Sequence, residues 1–228
     1  MKKIAILGAM EIEIQPILDK LDSYETIEYA NNKYYLANYQ AKELVIAYSK
    51  IGKVFSSLTA TIMIERFGVE ALLFIGVAGG LQDLKVGDMI AATATVQHDV
   101  DVTAFGYPYG KIPISEVKIT TSTRLLKQAQ NVANELDIKL HTGVIATGDQ
   151  FVHCADRKDF VIKEFDAKAI EMEGASVNLV CNEMGVQSLI LRSISDTADG
   201  NAPENFDEFA NMSAKRSANF VMQMLSNI

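Results

Sequence analysis

Apolar positions along this chain follow two alternating rhythms. Short continuous or alternating runs, bounded by glycine, read as strands. Between them apolar residues recur every three or four positions, as on one helix face. Residues 3–9 form the first run, a buried strand ending at Gly8. Ile14, Ile17, Leu18 and Leu21 then recur at helical spacing. Pro16 is tolerated only near a helix start, so this helix is expected to begin around residues 13–15. Residues 24–29, 33–38 and 43–49 read as short strands, with Asn31-Asn32 supplying turn chemistry. A turn at Ile51-Gly52-Lys53 leads into a helix over 54–67. Residues 71–77 are continuously apolar and end at Gly79-Gly80, which predicts a central strand covered on both faces.

The second half repeats the alternation. Strands are predicted over 88–96, 141–146, 167–172 and 187–194. Helices are predicted over 122–136, capped by Ser122, over 156–165 and over 175–184. A loop rich in aromatics, Gly and Pro spans 106–113, and a polar loop spans 195–203. Asn205 with Glu208 resembles a capping box for a last helix ending near Leu225, with Phe206, Phe209, Phe220 and Met224 inward. Strand and helix alternate without a repeat or linker, which predicts one α/β domain over 1–228 with a largely parallel or mixed central sheet flanked by helices.

Ligands in such sheets sit at the carboxyl ends of strands. The acids cluster there: Glu13 after the first strand, Glu171 and Glu173 around the end of a late one, Asp196 after another. Glu171 and Glu173 stand two apart in an apolar run, so an extended strand would send both to one side. Carboxylates in apolar surroundings need a polar partner; water at a strand end and a hydroxyl-bearing ligand both qualify.

Composition narrows the chemistry. The formal charge is −8 with no long basic run, which argues against nucleic acid and anionic membranes as partners. No apolar run approaches the roughly 20 residues of a membrane helix. The two cysteines, Cys154 and Cys181, form neither metal spacing nor a disulfide framework, consistent with a reducing cytoplasm. Gly8-Ala9-Met10-Glu11 lacks two glycines of a dinucleotide fingerprint, and acids at 11 and 13 would repel a phosphate, so the phosphate of a cofactor is not expected to bind here. His98-Asp99-Val100-Asp101 has too few convergent ligands for a metal site and reads as a structural loop. His153 and Cys154 are adjacent and would point apart in an extended segment, so a thiol nucleophile is not expected.

These segments combine into an ordered set: Gly8 to Glu13, Val77-Ala78-Gly79-Gly80, Asp101 to Tyr107, Thr147-Gly148-Asp149-Gln150-Phe151, Glu171-Met172-Glu173, Arg192 to Asp196, and Phe206 to Phe209. The set resembles, nearly end to end, the bacterial 5′-methylthioadenosine/S-adenosylhomocysteine nucleosidases of the nucleoside phosphorylase superfamily. The resemblance implies hydrolysis of the adenine–ribose bond, no cofactor and a homodimer. It assigns Glu13 to activation of water and Asp196 to protonation of adenine N7, with Ser195 placing the Asp196 side chain. Met172 and Glu173 would contact ribose, with Glu171 and Arg192 in the same shell. Phe151 would stack on adenine and the Val152 backbone would read its edge. Met10, Ile51 and Phe206 would supply apolar contacts, and the Val77-Ala78-Gly79 backbone further ones. Phe105 and Pro113 would come from the partner subunit. Ile12 and Val77 depart from relatives that carry an acid and a serine there. Some members cleave aminodeoxyfutalosine in menaquinone synthesis, which needs a wider 5′ pocket.

Cleaving an N-glycosidic bond builds positive charge on ribose and negative charge on the base, so two carboxyl groups of opposite duty fit the chemistry. A phosphorylase on the same fold would instead need cations around phosphate, and a non-catalytic nucleoside-binding protein would not need both Glu13 and Asp196.

Overall fold

The structure, a computed structural model, describes residues 2–196 and 206–228. Eleven strands and six helices alternate among them: β1 (Lys3–Gly8), α1 (Glu11–Leu18), β2 (Glu25–Tyr29), β3 (Asn32–Tyr39), β4 (Lys42–Tyr48), α2 (Lys53–Glu65), β5 (Ala71–Phe74), β6 (Val77–Gly80), β7 (Met89–Gln97), β8 (Ile119–Thr120), α3 (Thr123–Glu135), β9 (Leu140–Thr147), α4 (Ala155–Phe165), β10 (Ala167–Glu171), α5 (Gly174–Glu183), β11 (Gln187–Asp196) and α6 (Phe206–Asn227). The strands join in the order β2-β3-β4-β1-β5-β11-β6-β10-β9-β7-β8. β1 is parallel to β4 and β5, whereas β2, β3 and β4 form antiparallel hairpins, so the sheet is mixed as expected.

β1 shows how the sequence pattern builds two layers. Its alternate residues point to opposite faces. Ile4 and Ile6 pack with Ile14 and Ile17 of α1 and Phe220 and Leu225 of α6. Ala5 and Leu7 face Ala60 and Met63 of α2 and Val177 and Cys181 of α5. A third cluster, with Val96, Ala146, Val161 and Phe165, sits under α4.

β11 has three neighbours in succession. Residues 187–190 pair with β5, residues 191–193 with β7, and residues 193–196 with β6. Because β6, β10, β9 and β7 are themselves joined side by side, the sheet closes on itself through β11.

Three boundaries differ from the sequence expectation. α1 begins at Glu11, because the Glu13 side chain folds back onto the N–H groups of Ala9 and Met10 and fixes the first turn. The run 71–77 is not one strand: it breaks at Ile75-Gly76, and β6 passes to β10 and β11. β11 continues through Asp196, because its last residues pair with β6 instead of entering a loop. β8 was absent from the sequence expectation; two residues carry too little pattern to announce a strand. The polar loop beyond Asp196 and the Asn205 cap lie outside the described residues, as does the side chain of Phe206. None of the described helices is long and apolar enough to cross a membrane.

Candidate active site

The ends of β1, β10 and β11, the segment after β9 and the start of β6 converge on one cleft. It holds about 660 Å³ of empty space, part of it open to solvent. Of the residues singled out in the sequence, Met10, Glu13, Ile51, Val77, Ala78, Gly79, Phe151, Val152, Glu171, Met172, Glu173, Ser195 and Asp196 all line it.

Glu13 is placed by the junction of β1 and α1. As the third helical residue it turns back, and its Oε2 accepts the N–H of Ala9 at 2.6 Å and of Met10 at 3.0 Å. Its Oε1 accepts the N–H of Val77 at 3.0 Å. These three donors, with the positive end of α1, suit an ionised carboxylate. Burial opposes them and dominates, raising the Glu13 pKa above its ordinary value against the Arg192 charge and the three N–H groups. A buried carboxylate with a raised pKa is a stronger base than one in water. The break before β6 has its reason here. A Cβ on Gly76 would stand 2.6 Å from Glu13 Oε1, so the chain passes under the carboxylate only as glycine.

Glu171 and Glu173 do not leave one strand side by side. β10 ends at Glu171, and Glu173 is the N-cap of α5. Glu171 is fully engaged. Its Oε2 accepts from Arg192 Nη2 at 2.6 Å and from the N–H groups of Glu173 and Gly174, while Thr147 donates to its Oε1. The Thr147 hydroxyl in turn accepts the N–H of Ala175. Glu171 thus caps α5 and neutralises a fully buried guanidinium that also lies over the Phe74 ring. Arg192 does not line the cleft; it supports the carboxylates from behind. Glu173 faces outward from this cluster, and its Oε1 accepts the N–H of Gly52 at 2.8 Å. Burial, then the Glu171 charge, push its pKa up to about 8, against the Gly52 N–H and Arg192.

Asp196 ends β11 and is half-buried, and the Ser195 hydroxyl donates to its Oδ2 at 2.9 Å. Phe151 is 51% exposed at the mouth of the cleft, and the His153 ring lies nearly parallel to it, 6.5 Å away between centroids. Phe105 is 81% exposed and, like Pro113, does not line the cleft of its own chain.

The sequence reading missed Ala9, Gln150 and Ile170, which also line the cleft. It also missed Thr147, whose hydroxyl joins Glu171 to α5. Thr147 stands in the Thr-Gly-Asp segment already singled out, which was the available signal. Among the described lining residues there is no lysine, arginine or histidine. Cys154, exposed at the start of α4, is not among them either.

The chain matches the model of the phosphorylase superfamily over residues 3–226. It is 54% identical, over the whole of both chains, to an aminodeoxyfutalosine nucleosidase of Campylobacter jejuni. It superposes with a TM-score of 0.99 on a structure from Francisella philomiragia, described as a 5′-methylthioadenosine/S-adenosylhomocysteine nucleosidase, with 80% identity and full coverage of both chains. A Helicobacter pylori nucleosidase variant, solved with 5′-methylthioadenosine in its active site, matches with a TM-score of 0.98 and 50% identity, again over both whole chains. A cleft of buried carboxylates at strand ends, on this fold and with these relatives, places the chain in the phosphorylase superfamily, among the nucleosidases that act on methylthioadenosine, S-adenosylhomocysteine or aminodeoxyfutalosine.

Proposed function

We propose that this chain, as a single catalytic domain and without a cofactor, hydrolyses the adenine–ribose bond of 5′-substituted adenosines and of aminodeoxyfutalosine. The observation that carries this is Glu13, a buried carboxylate held by three backbone N–H groups, lining one cleft with Asp196. Glu13 takes a proton from water, which attacks the anomeric carbon. Asp196, set by Ser195, gives a proton to adenine N7, so the base leaves neutral. Glu173 binds the ribose hydroxyls, with Oε1 shared with Gly52 and Oε2 left to the ligand. Met172 packs on the sugar, Phe151 stacks on adenine and the Val152 backbone reads its edge. Met10 and Ile51 take the sugar and the 5′ side, and the backbone of Val77, Ala78 and Gly79 covers the remaining wall. Relatives named for both substrate types support a 5′ pocket that accepts either.

Water, not phosphate, is the nucleophile. A phosphate dianion needs cations around it, and the described lining of the cleft has no lysine, arginine or histidine to supply them.

The exposed apolar side chains Ile51, Val54, Phe55 and Leu58 around the start of α2, with Phe105 and Ile114, support a homodimer. In it Phe105 and Pro113 close the partner's 5′ pocket.

The test follows adenine release from 5′-methylthioadenosine, S-adenosylhomocysteine, 5′-deoxyadenosine and aminodeoxyfutalosine, with and without phosphate. Release is expected without phosphate; strict phosphate dependence would overturn the hydrolase reading. Glu13→Gln and Asp196→Asn should each bind substrate yet lose about 10²–10⁴-fold in kcat. Near-normal turnover in both would remove the acid–base assignment.

A further inference from the structure

The segment Thr147 to Phe151 contains an aspartate that the proposed chemistry does not use. Asp149 is exposed, yet it is held at both ends. Its Oδ1 accepts the backbone N–H of Lys53 at 2.8 Å. Its own N–H donates to Asp99 Oδ2 at 2.9 Å. The other oxygen of Asp99 accepts from Lys53 Nζ at 2.8 Å, and the same ammonium donates to Gln97 Oε1 at 3.2 Å. Lys53, Asp149 and Asp99 therefore form a closed ring of three hydrogen bonds. The ring ties the first residue of α2 to the chain just beyond β9 and β7. Burial pushes the Asp99 carboxyl up, but the Lys53 bond and the Asp149 N–H outweigh it and hold its pKa below the ordinary value.

The residue next to this ring is Gly52, whose N–H is the one that grips Glu173 Oε1. Gly52 has φ +99°, which side chains rarely adopt, and a Cβ there would stand 3.0 Å from Asp149 Oδ1. The successive N–H groups of Gly52 and Lys53 thus go to two carboxylates, Glu173 inside the cleft and Asp149 outside it. The positive end of the 13-residue α2 adds to both bonds. If the ring opened, the turn at 51–53 would lose the anchor that aims the Gly52 N–H.

We propose that Asp149, with Lys53 and Asp99, positions Glu173 toward the ribose hydroxyls through the Gly52 N–H. These are positioning residues; none is placed against substrate. The inference rests on the assignment of Glu173 to the ribose, and the experiment separates the two.

The experiment measures kcat/KM on 5′-methylthioadenosine and on its 2′-deoxy and 3′-deoxy analogues. It uses the parent enzyme and the variants Glu173→Gln, Asp149→Ala, Asp149→Asn and Lys53→Met. Glu173→Gln identifies the hydroxyl it binds as the one whose removal the variant no longer notices. Asp149→Ala is expected to lose about 10-fold or more on the parent substrate, in KM more than in kcat, since small displacements of positioning groups are costly. On the analogue lacking that same hydroxyl, the loss should fall below about 2-fold, as for two groups acting through one contact. Asp149→Asn keeps an acceptor for the Lys53 N–H and should restore most of the loss. If Asp149→Ala fails to fold, Lys53→Met carries the same comparison, because it breaks the ring but keeps the backbone N–H. Equal losses on all three substrates, or no loss, would overturn the positioning role. Equal losses for Glu173→Gln on all three would overturn the ribose assignment, and the inference with it.

Discussion

At the scale of single residues, the site depends on which side chains keep a free hand. Glu171 and Glu173 look alike in the sequence, yet their environments divide the work. Glu171 receives Arg192, Thr147 and two backbone N–H groups, while Glu173 keeps room for a ligand. Gly76 shows how close the packing is around Glu13, the proposed base. A methyl there would lie 2.6 Å from Glu13 Oε1 and 3.3 Å from Arg192 Nη1, so something must move. Gly76→Ala is expected to lower kcat on the order of 10²-fold, with a lower Tm. Steady-state kinetics and thermal unfolding of the variant check this, and unchanged kcat would show that Glu13 tolerates displacement. The strand-end acids were legible in the sequence because each is announced locally, by an apolar run that stops. The resemblance set Arg192 in the same shell as Glu171, but no local pattern announced their ion pair, because the two stand 21 positions apart and only folding brings them together.

At the scale of elements, the N-termini of helices do the organising. α1 starts on Glu13, α2 on Glu173 and Asp149, and α5 on Glu171. Three helix starts thus surround one cleft with N–H groups, a favourable setting for buried carboxylates. The price of this crowding appears in Glu173. Its folded pKa is raised from 4.5 to about 8, so the native state keeps a proton that the unfolded chain releases. The associated stability is fully present below the unfolded pKa and is lost as pH rises through about 8. Glu173→Gln, which cannot ionise, should therefore gain Tm relative to the parent as pH rises from about 5 to 8. Thermal unfolding across that interval checks it; a constant difference would mean that Glu173 is already ionised at the lower pH. The helices themselves were legible from their apolar spacing. The Lys53–Asp149 bond was not, since it spans 96 positions and involves a backbone N–H that no side-chain pattern records. The break at Gly76 was hidden for a different reason: an apolar run looks the same whether or not the chain bends within it.

At the scale of the whole molecule, the α/β alternation and the mixed sheet could be read from the sequence, whereas the closure of the sheet could not. The pairing that closes it, β11 with β7, joins segments far apart in the chain, and no local pattern announces it. The exposed face of α2 carries the remaining expectation. Val54 and Leu58 lie one turn apart and are 76% and 48% exposed. Paired substitution of Val54 and Leu58 by aspartate should give a monomer by light scattering, with a rise in KM, as the cleft loses Phe105 and Pro113 of the partner. A fully active monomer would contradict the shared site. The closure of the sheet through β11 has its own consequence. β11 carries Arg192 in the part that pairs with β7 and Asp196 in the part that pairs with β6. One continuous strand therefore fixes the spacing between Arg192, which steadies the carboxylates, and Asp196, the acid of the proposed reaction. With neighbours on both sides, it has no free margin along which to slip by a residue. In the proposed reaction the loops can then be altered to suit different 5′ groups while the sheet keeps that spacing unchanged.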